Sequence, residues 1–257
     1  MTTLPLTIPT GELVLCTLTG VDEYTSLAGV ASLSARYPFV EWGLLYSPKR
    51  AGQHGRYPSA AYLYYALACL PESVRVALHV CGRGVDDLCS GERVVSALVN
   101  RLRRRGGRVQ VNVGLARAPE ILAPVETWVR QIRATGGPAT ITQHNEANAA
   151  LSARLAGLPG HGFLFDASGG RGLAAESWPR PLGDSPCGYA GGLGPDSVVG
   201  QLPLIARAAS GAPFWIDMES RLRDDADNFR LARAETVLRQ VLPFVRANAL
   251  LPVGGGA

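Results

Sequence analysis

The run RVQVNVGLARAPEILAPVETWVRQIRATGGPATITQH, residues 108–144, reads as a strand, a helix and a second strand. Arg108–Val113 and Ala139–His144 are short and rich in β-branched residues, as strands are. Pro119 opens the helical stretch 118–134, where a missing N–H costs nothing. Gly136-Gly-Pro138 stops it. The stretch is therefore one β-α-β unit.

The same alternation extends in both directions. Further strands are expected at Glu12–Leu18, Val40–Tyr46, Val74–Cys81, Gly162–Asp166, Gly188–Ala190 and Pro213–Met218. Helices are expected near 21–36, 58–70, 91–105, 146–157, 195–210 and 225–247. Ser168–Pro186 is rich in Gly and Pro and reads as a loop. Eight β units in a row, with no break in composition, predict an α/β fold: a single (β/α)8 TIM barrel over residues 1–250, followed by a flexible tail, 251–257. A doubly wound sheet is the alternative, because periodicity does not report closure.

Composition narrows the function. Of the 257 residues 47% are hydrophobic and 18% charged, which suits a globular chain. No apolar run approaches the roughly 20 residues of a membrane span. The first residues lack a basic n-region, and the five cysteines show no paired spacing, so a reduced cytoplasmic setting is expected. The net charge is +4, but the densest basic run, Arg101–Arg105, ends a helix, where cations suit the dipole. Aromatic residues are not interleaved with basic ones, which argues against a nucleic-acid partner.

Barrels of this kind carry their chemistry at the C-terminal ends of the strands. Those ends here hold Cys16, His79, Cys81, Asn112, His144, Asp166, Asp217 and Glu219. Strand alternation puts Leu164 and Asp166 on one face of strand six, opposite Phe163 and Phe165, and puts Trp215, Asp217 and Glu219 together on strand eight. With the two phenylalanines toward the helices, Asp166 points over the mouth. Gly191-Gly-Leu-Gly-Pro195 follows strand seven; its backbone amides and the helix start behind it suit a phosphate. His79, Cys81, His144, Asp217 and Glu219 include metal-ligating types, but no ligand spacing accompanies them.

Cys16-Thr-Leu-Thr19 with Gly20-Val-Asp-Glu23, Pro48-Lys49 with Arg56-Tyr57, Phe165-Asp166 with Gly169-Gly-Arg-Gly172, Ala190-Gly-Gly-Leu-Gly-Pro195 and Asp217-Met-Glu-Ser-Arg221 occur in that order. This series resembles the phosphoribosylanthranilate isomerases, barrel enzymes that convert an aminoaldose phosphate to an aminoketose by an Amadori rearrangement. The resemblance implies Asp166 as the general acid that opens the sugar ring and Cys16 as the general base. It implies Arg56 on a substrate carboxylate. Asn112, His144, Asp217 and Arg221 are expected among the substrate-binding residues, and Gly191, Gly192 and Ser220 at the phosphate. No cofactor or metal is implied, and the expected partner is a small phosphorylated sugar or other anionic substrate, bound by a monomer or homodimer.

The chain departs from that family's pattern at the pocket. Asn112 stands in place of an imidazole on strand four, Gln143-His-Asn-Glu146 is a polar cluster foreign to it, and Glu219 and Arg221 replace small residues. A related reaction on a different substrate is therefore expected as readily as the tryptophan-pathway step. A barrel that binds an anionic ligand without catalysis is the alternative.

Overall fold

A computed structural model describes residues 11–53, 55–114, 118–166 and 177–246. Eight parallel strands close into a ring in chain order: β1 (Glu12–Thr19), β2 (Val40–Tyr46), β3 (Arg75–Cys81), β4 (Arg108–Asn112), β5 (Ala139–His144), β6 (His161–Phe165), β7 (Cys187–Ala190) and β8 (Pro213–Met218). β8 pairs with β1 to complete it, with one irregularity between Leu13 and Leu15. The fold is a (β/α)8 barrel, as expected. Among the described residues the helices are α1 (Leu27–Arg36), α2 (Ala60–Cys69), α3 (Arg83–Ser90), α4 (Arg93–Arg104), α5 (Ala118–Ala134), α6 (Ala149–Leu155), α7 (Val198–Ala209) and α8 (Leu231–Val241). The glycine-rich segment 168–172, His54 and the tail 251–257 lie outside the described residues.

Several helices start later than the sequence suggests, because the loops before them have fixed turns of their own. Ser26 caps α1 by accepting the Gly29 amide at 3.2 Å, and Ser59 caps α2 by accepting that of Tyr62 at 3.2 Å. Pro195 sits in a turn before α7, whose first residue is Val198, and a bridge between Arg223 and Phe229 delays α8. α3 was not expected: Gly82 and Gly91 bracket it, and Gly91 ends it in the left-handed conformation. No helix among the described residues is long and apolar enough to cross a membrane.

Alternation along the strands sorts side chains into two environments. Outward residues, Leu18, Trp42, Leu78, Phe163 and Phe165 among them, join the helices in one large core. Inward, Leu15, Ile141, Leu164 and Trp215 make a small apolar plug. The Trp215 indole fits because β7 carries Gly188 beside it, where any Cβ would overlap the ring. The Arg108 guanidinium stacks over Trp215 with its carbon 4.7 Å from the ring centre and pairs with Glu41 at 2.5 Å. Thr17 donates to the same Glu41 carboxylate at 3.0 Å, so this buried charge is fully partnered.

Candidate active site

Above that plug the inward residues turn polar. Thr19 (β1), His79 (β3), Gln110 and Asn112 (β4), Gln143 (β5), Asp166 (after β6) and Asp217 (β8) converge on a pocket at the C-terminal mouth of about 60 Å³. The loops after β7 and β8 complete it with Gly191, Gly192, Leu193, Ser220 and Arg221. Asn112, Gln143 and Glu219 also line a neighbouring pocket of about 300 Å³, whose far wall holds Lys49, Arg50, Arg56 and Arg83.

The floor is a hydrogen-bonded network. Thr19 donates to Asp217 Oδ1 at 2.8 Å, and Gln110 Nε2 lies 3.5 Å from Asp217 Oδ2. Gln110 Nε2 also donates to Asn112 Oδ1 at 3.1 Å, and Asn112 donates to the Cys81 sulfur at 3.3 Å. Gln143 Nε2 donates to Asp166 Oδ2 at 2.7 Å, which aims that carboxyl into the pocket. Burial raises the Asp217 carboxyl from 3.8 to about 7, against the Thr19 hydrogen bond, with Glu41 adding to the rise. Burial pushes the His79 imidazole down to about 4, so the ring is neutral at pH 7.

The loop after β7 forms a concave corner. Gly191 and Gly192 take φ values of 127° and 63°, which side chains disfavour. Ser197 ties the loop back by donating to the Gly192 carbonyl at 2.9 Å. Gly194 packs directly on Arg221, which holds the β7 and β8 loops together. Below the β8 loop, buried Arg223 donates to Asp22 Oδ2 and the Gly20 carbonyl, each at 2.8 Å, and joins the β1 and β8 loops.

The structure thus brings Asp166, Asn112, Asp217, Gly191, Gly192, Ser220 and Arg221 to one pocket. Three expected residues stand elsewhere. Cys16 requires correction: it points outward with Leu18 into the helix-packed core and is fully buried. Thr17 and Thr19 occupy the inward positions of that strand, and burial raises the Cys16 thiol far above its ordinary range, the opposite of what a base needs. His144 also turns outward; its ring meets Phe165 edge-on at 5.2 Å and its Nδ1 lies 2.8 Å from Ser152 Oγ. It lines a side pocket that also touches Asp166.

Arg56 lies in the second pocket, and its guanidinium is already engaged, with Asp227 at 2.7 Å and Glu219 at 3.0 Å. Thr19 and Gln110 carry no motif in the sequence, although the alternation Cys16-Thr-Leu-Thr19 puts Thr17 and Thr19 on one face. Among the described residues no three His, Cys, Asp or Glu side chains come together as metal ligands would.

No protein-family profile matches the sequence, and no curated protein matches it at the sequence level. The fold, in contrast, has many solved counterparts. A structure described as TrpF from Jonesia denitrificans superposes with a TM-score of 0.57 at 15% identity, over 90% of this chain and 98% of that one. A phosphoribosyl anthranilate isomerase in complex with reduced 1-(o-carboxyphenylamino)-1-deoxyribulose 5-phosphate gives 0.53 at 12% identity, over 90% of this chain and 100% of the other. A truncated 3-deoxy-D-arabino-heptulosonate 7-phosphate synthase from Thermotoga maritima gives 0.53 at 14% identity, over 94% and 90%. At these identities the likeness establishes the barrel and extends to barrels of different chemistry.

Proposed function

We propose that this barrel is an acid/base isomerase acting on a phosphorylated sugar amine, an aldose-to-ketose rearrangement of the Amadori type. The observation that carries the reading is one pocket where two of its three carboxyls, Asp166 and Asp217, stand with the glycine corner Gly191-Gly192 and Arg221, the third being Glu219. Glycine amides and a guanidinium suit a phosphate. A carboxyl held near 7 takes and returns protons at neutral pH. One structure of the same fold carries a phosphorylated sugar amine.

In this mechanism Asp166 gives its proton to the ring oxygen; the ring C–O bond breaks and the nitrogen lone pair forms C=N. The Asp217 carboxylate, in place of Cys16, then takes the proton from the adjacent carbon. The freed electron pair moves toward nitrogen to give an enolamine, which tautomerises to the aminoketone. The nitrogen substituent extends toward the second pocket, where Lys49 and Arg50 favour an anionic end. Arg56 is committed to Asp227 and Glu219, which favours a substituent other than anthranilate.

The test follows loss of phosphoribosylanthranilate by fluorescence, and conversion of ribosylamine 5-phosphates with other nitrogen substituents by NMR. Wild type and Cys16→Ala turn over at least one of them alike, while Asp166→Asn and Asp217→Asn each lose about 100-fold or more. Binding of these compounds without any turnover refutes the proposal and leaves a barrel that binds without catalysis.

A further inference from the structure

His79 enters the pocket floor from β3, paired in register with Gln110 on β4. Its side chain is 2% exposed. Gln110 Nε2 lies 3.1 Å from His79 Nδ1, and the same nitrogen faces Asn112 Oδ1 and Asp217 Oδ2. Two oxygen acceptors fix which way the Gln110 amide points, since the reversed amide would set its own oxygen against both. The amide nitrogen has two hydrogens; one goes to Asn112 Oδ1 and the other to His79 Nδ1, each at 3.1 Å, while Asp217 Oδ2 at 3.5 Å is too far for a good third bond, so His79 Nδ1 accepts. The neutral ring then carries its proton on Nε2. That Nε2 is buried, lines the pocket through its residue, and has no hydrogen-bond partner among the described residues. A buried N–H without an acceptor is unfavourable, so the site is built to receive one.

We propose that His79 contacts the substrate: its Nε2–H donates to an uncharged sugar oxygen, hydroxyl or carbonyl, next to the carbon from which Asp217 takes the proton. This rests on the reading of the pocket as a sugar-phosphate site. The choice of an uncharged oxygen follows from the neighbours. Asp217 Oδ2 lies 4.0 Å from His79 Nδ1, and Glu219 lines the same pocket, so a phosphate or carboxylate oxygen beside this ring meets two carboxyls and belongs at the glycine corner instead. A neutral imidazole holds its proton tightly, so it polarises the oxygen without giving that proton away. His79 thereby orients the sugar between its anionic end and the carboxyl.

Histidine-labelled protein in 15N NMR, and calorimetric titration of wild type, His79→Phe and His79→Gln, test the contact. The probes are inorganic phosphate, ribose 5-phosphate and reduced 1-(o-carboxyphenylamino)-1-deoxyribulose 5-phosphate. The expected result is a proton on Nε2, no ring titration from about pH 5 to 8, and a shifted Nε2 signal on sugar-phosphate binding. His79→Phe binds the sugar phosphates about 10-fold or more weakly, and His79→Gln, which restores a donor, stays within about 3-fold. Inorganic phosphate binds all three proteins equally, which also reports that the Phe variant is folded. A proton on Nδ1, titration near the ordinary histidine value, or unchanged sugar-phosphate affinity in His79→Phe overturns the contact alone. Inorganic phosphate binding with no sugar phosphate binding to wild type overturns both this contact and the proposed function.

Discussion

Asp217→Asn gains stability relative to wild type as the pH rises, while removing a group on which the proposed mechanism depends. The carboxyl is 5% exposed on the inward face of β8. Asparagine keeps its shape and leaves an acceptor for the Thr19 hydroxyl. In the folded protein burial raises the carboxyl from 3.8 to about 7. Between those two values the unfolded chain has released a proton that the folded chain retains. Its contribution to stability is therefore fully present below about pH 4, falls as pH rises, and is lost above about 7.

That interval is about three pH units, and each is worth roughly 1.4 kcal/mol, so wild type loses about 4 kcal/mol at this site by pH 8. The asparagine variant has no proton to lose. Titrating groups distant from Asp217 cancel in the difference, and Glu219, which Asp217 pushes up, is the neighbour whose titration changes with it. Urea unfolding at pH 4, 6 and 8, extrapolated linearly, measures the gap. The variant is expected to gain on wild type steadily across that range, by an amount approaching about 4 kcal/mol. A gap that is the same at pH 4 and pH 8 refutes the claim that Asp217 is held protonated by burial.

Removing Arg223 as Arg223→Leu leaves Asp22 buried without its partner, and a loss of about 3–5 kcal/mol, near 10 °C in thermal melting, is expected. Unchanged melting would mean that the two loops are held by something else. Iodoacetamide on the native protein, read by peptide mass spectrometry, labels exposed Cys69 and spares Cys16. Early labelling of Cys16 would return it to the candidate nucleophiles. Gly188→Ala drives a methyl into the Trp215 indole and lowers the melting temperature, with the change visible in tryptophan fluorescence. Arg221→Gln weakens ribose 5-phosphate about 10-fold and flattens the salt dependence of binding; an unaltered salt dependence would exclude Arg221 from the anion site.

The barrel was legible because its signals are local. β2, β5 and β8 match the expected bounds: β2 and β8 are largely apolar runs, and β5 is a β-branched run that begins just after Gly136-Gly-Pro138. α3 was missed because the two glycines around it read as loop, although Gly91 is a helix stop as well. Asp166 was placed correctly because the pair Phe163 and Phe165 declares which face of β6 meets the helices. The same alternation turns Cys16 outward with Leu18 and Thr17 inward with Thr19, against the role that the motif resemblance implies for Cys16.

What stayed hidden is long-range pairing. Arg56 and Asp227 are 171 residues apart, and nothing near either one announces the other. The raised Asp217 carboxyl likewise comes from burial inside the closed ring, with Glu41 on β2 adding to it and the Thr19 and Gln110 hydrogen bonds from β1 and β4 opposing it.

Closure of β8 on β1 makes the pocket depend on the last strand of the barrel. Asp217, Glu219, Ser220 and Arg221 all come from β8 and the turn behind it. Without β8 the chain keeps Asp166 and the glycine corner, but β1 and β7 lose the strand that pairs with both and the pocket loses one wall. Any ligand that binds only the finished ring acts as a clasp and draws open rings toward closure by mass action. Recovery of the folded protein from dilute denaturant in the presence of that ligand would register as protection concentrated at the seam between the first and last strands.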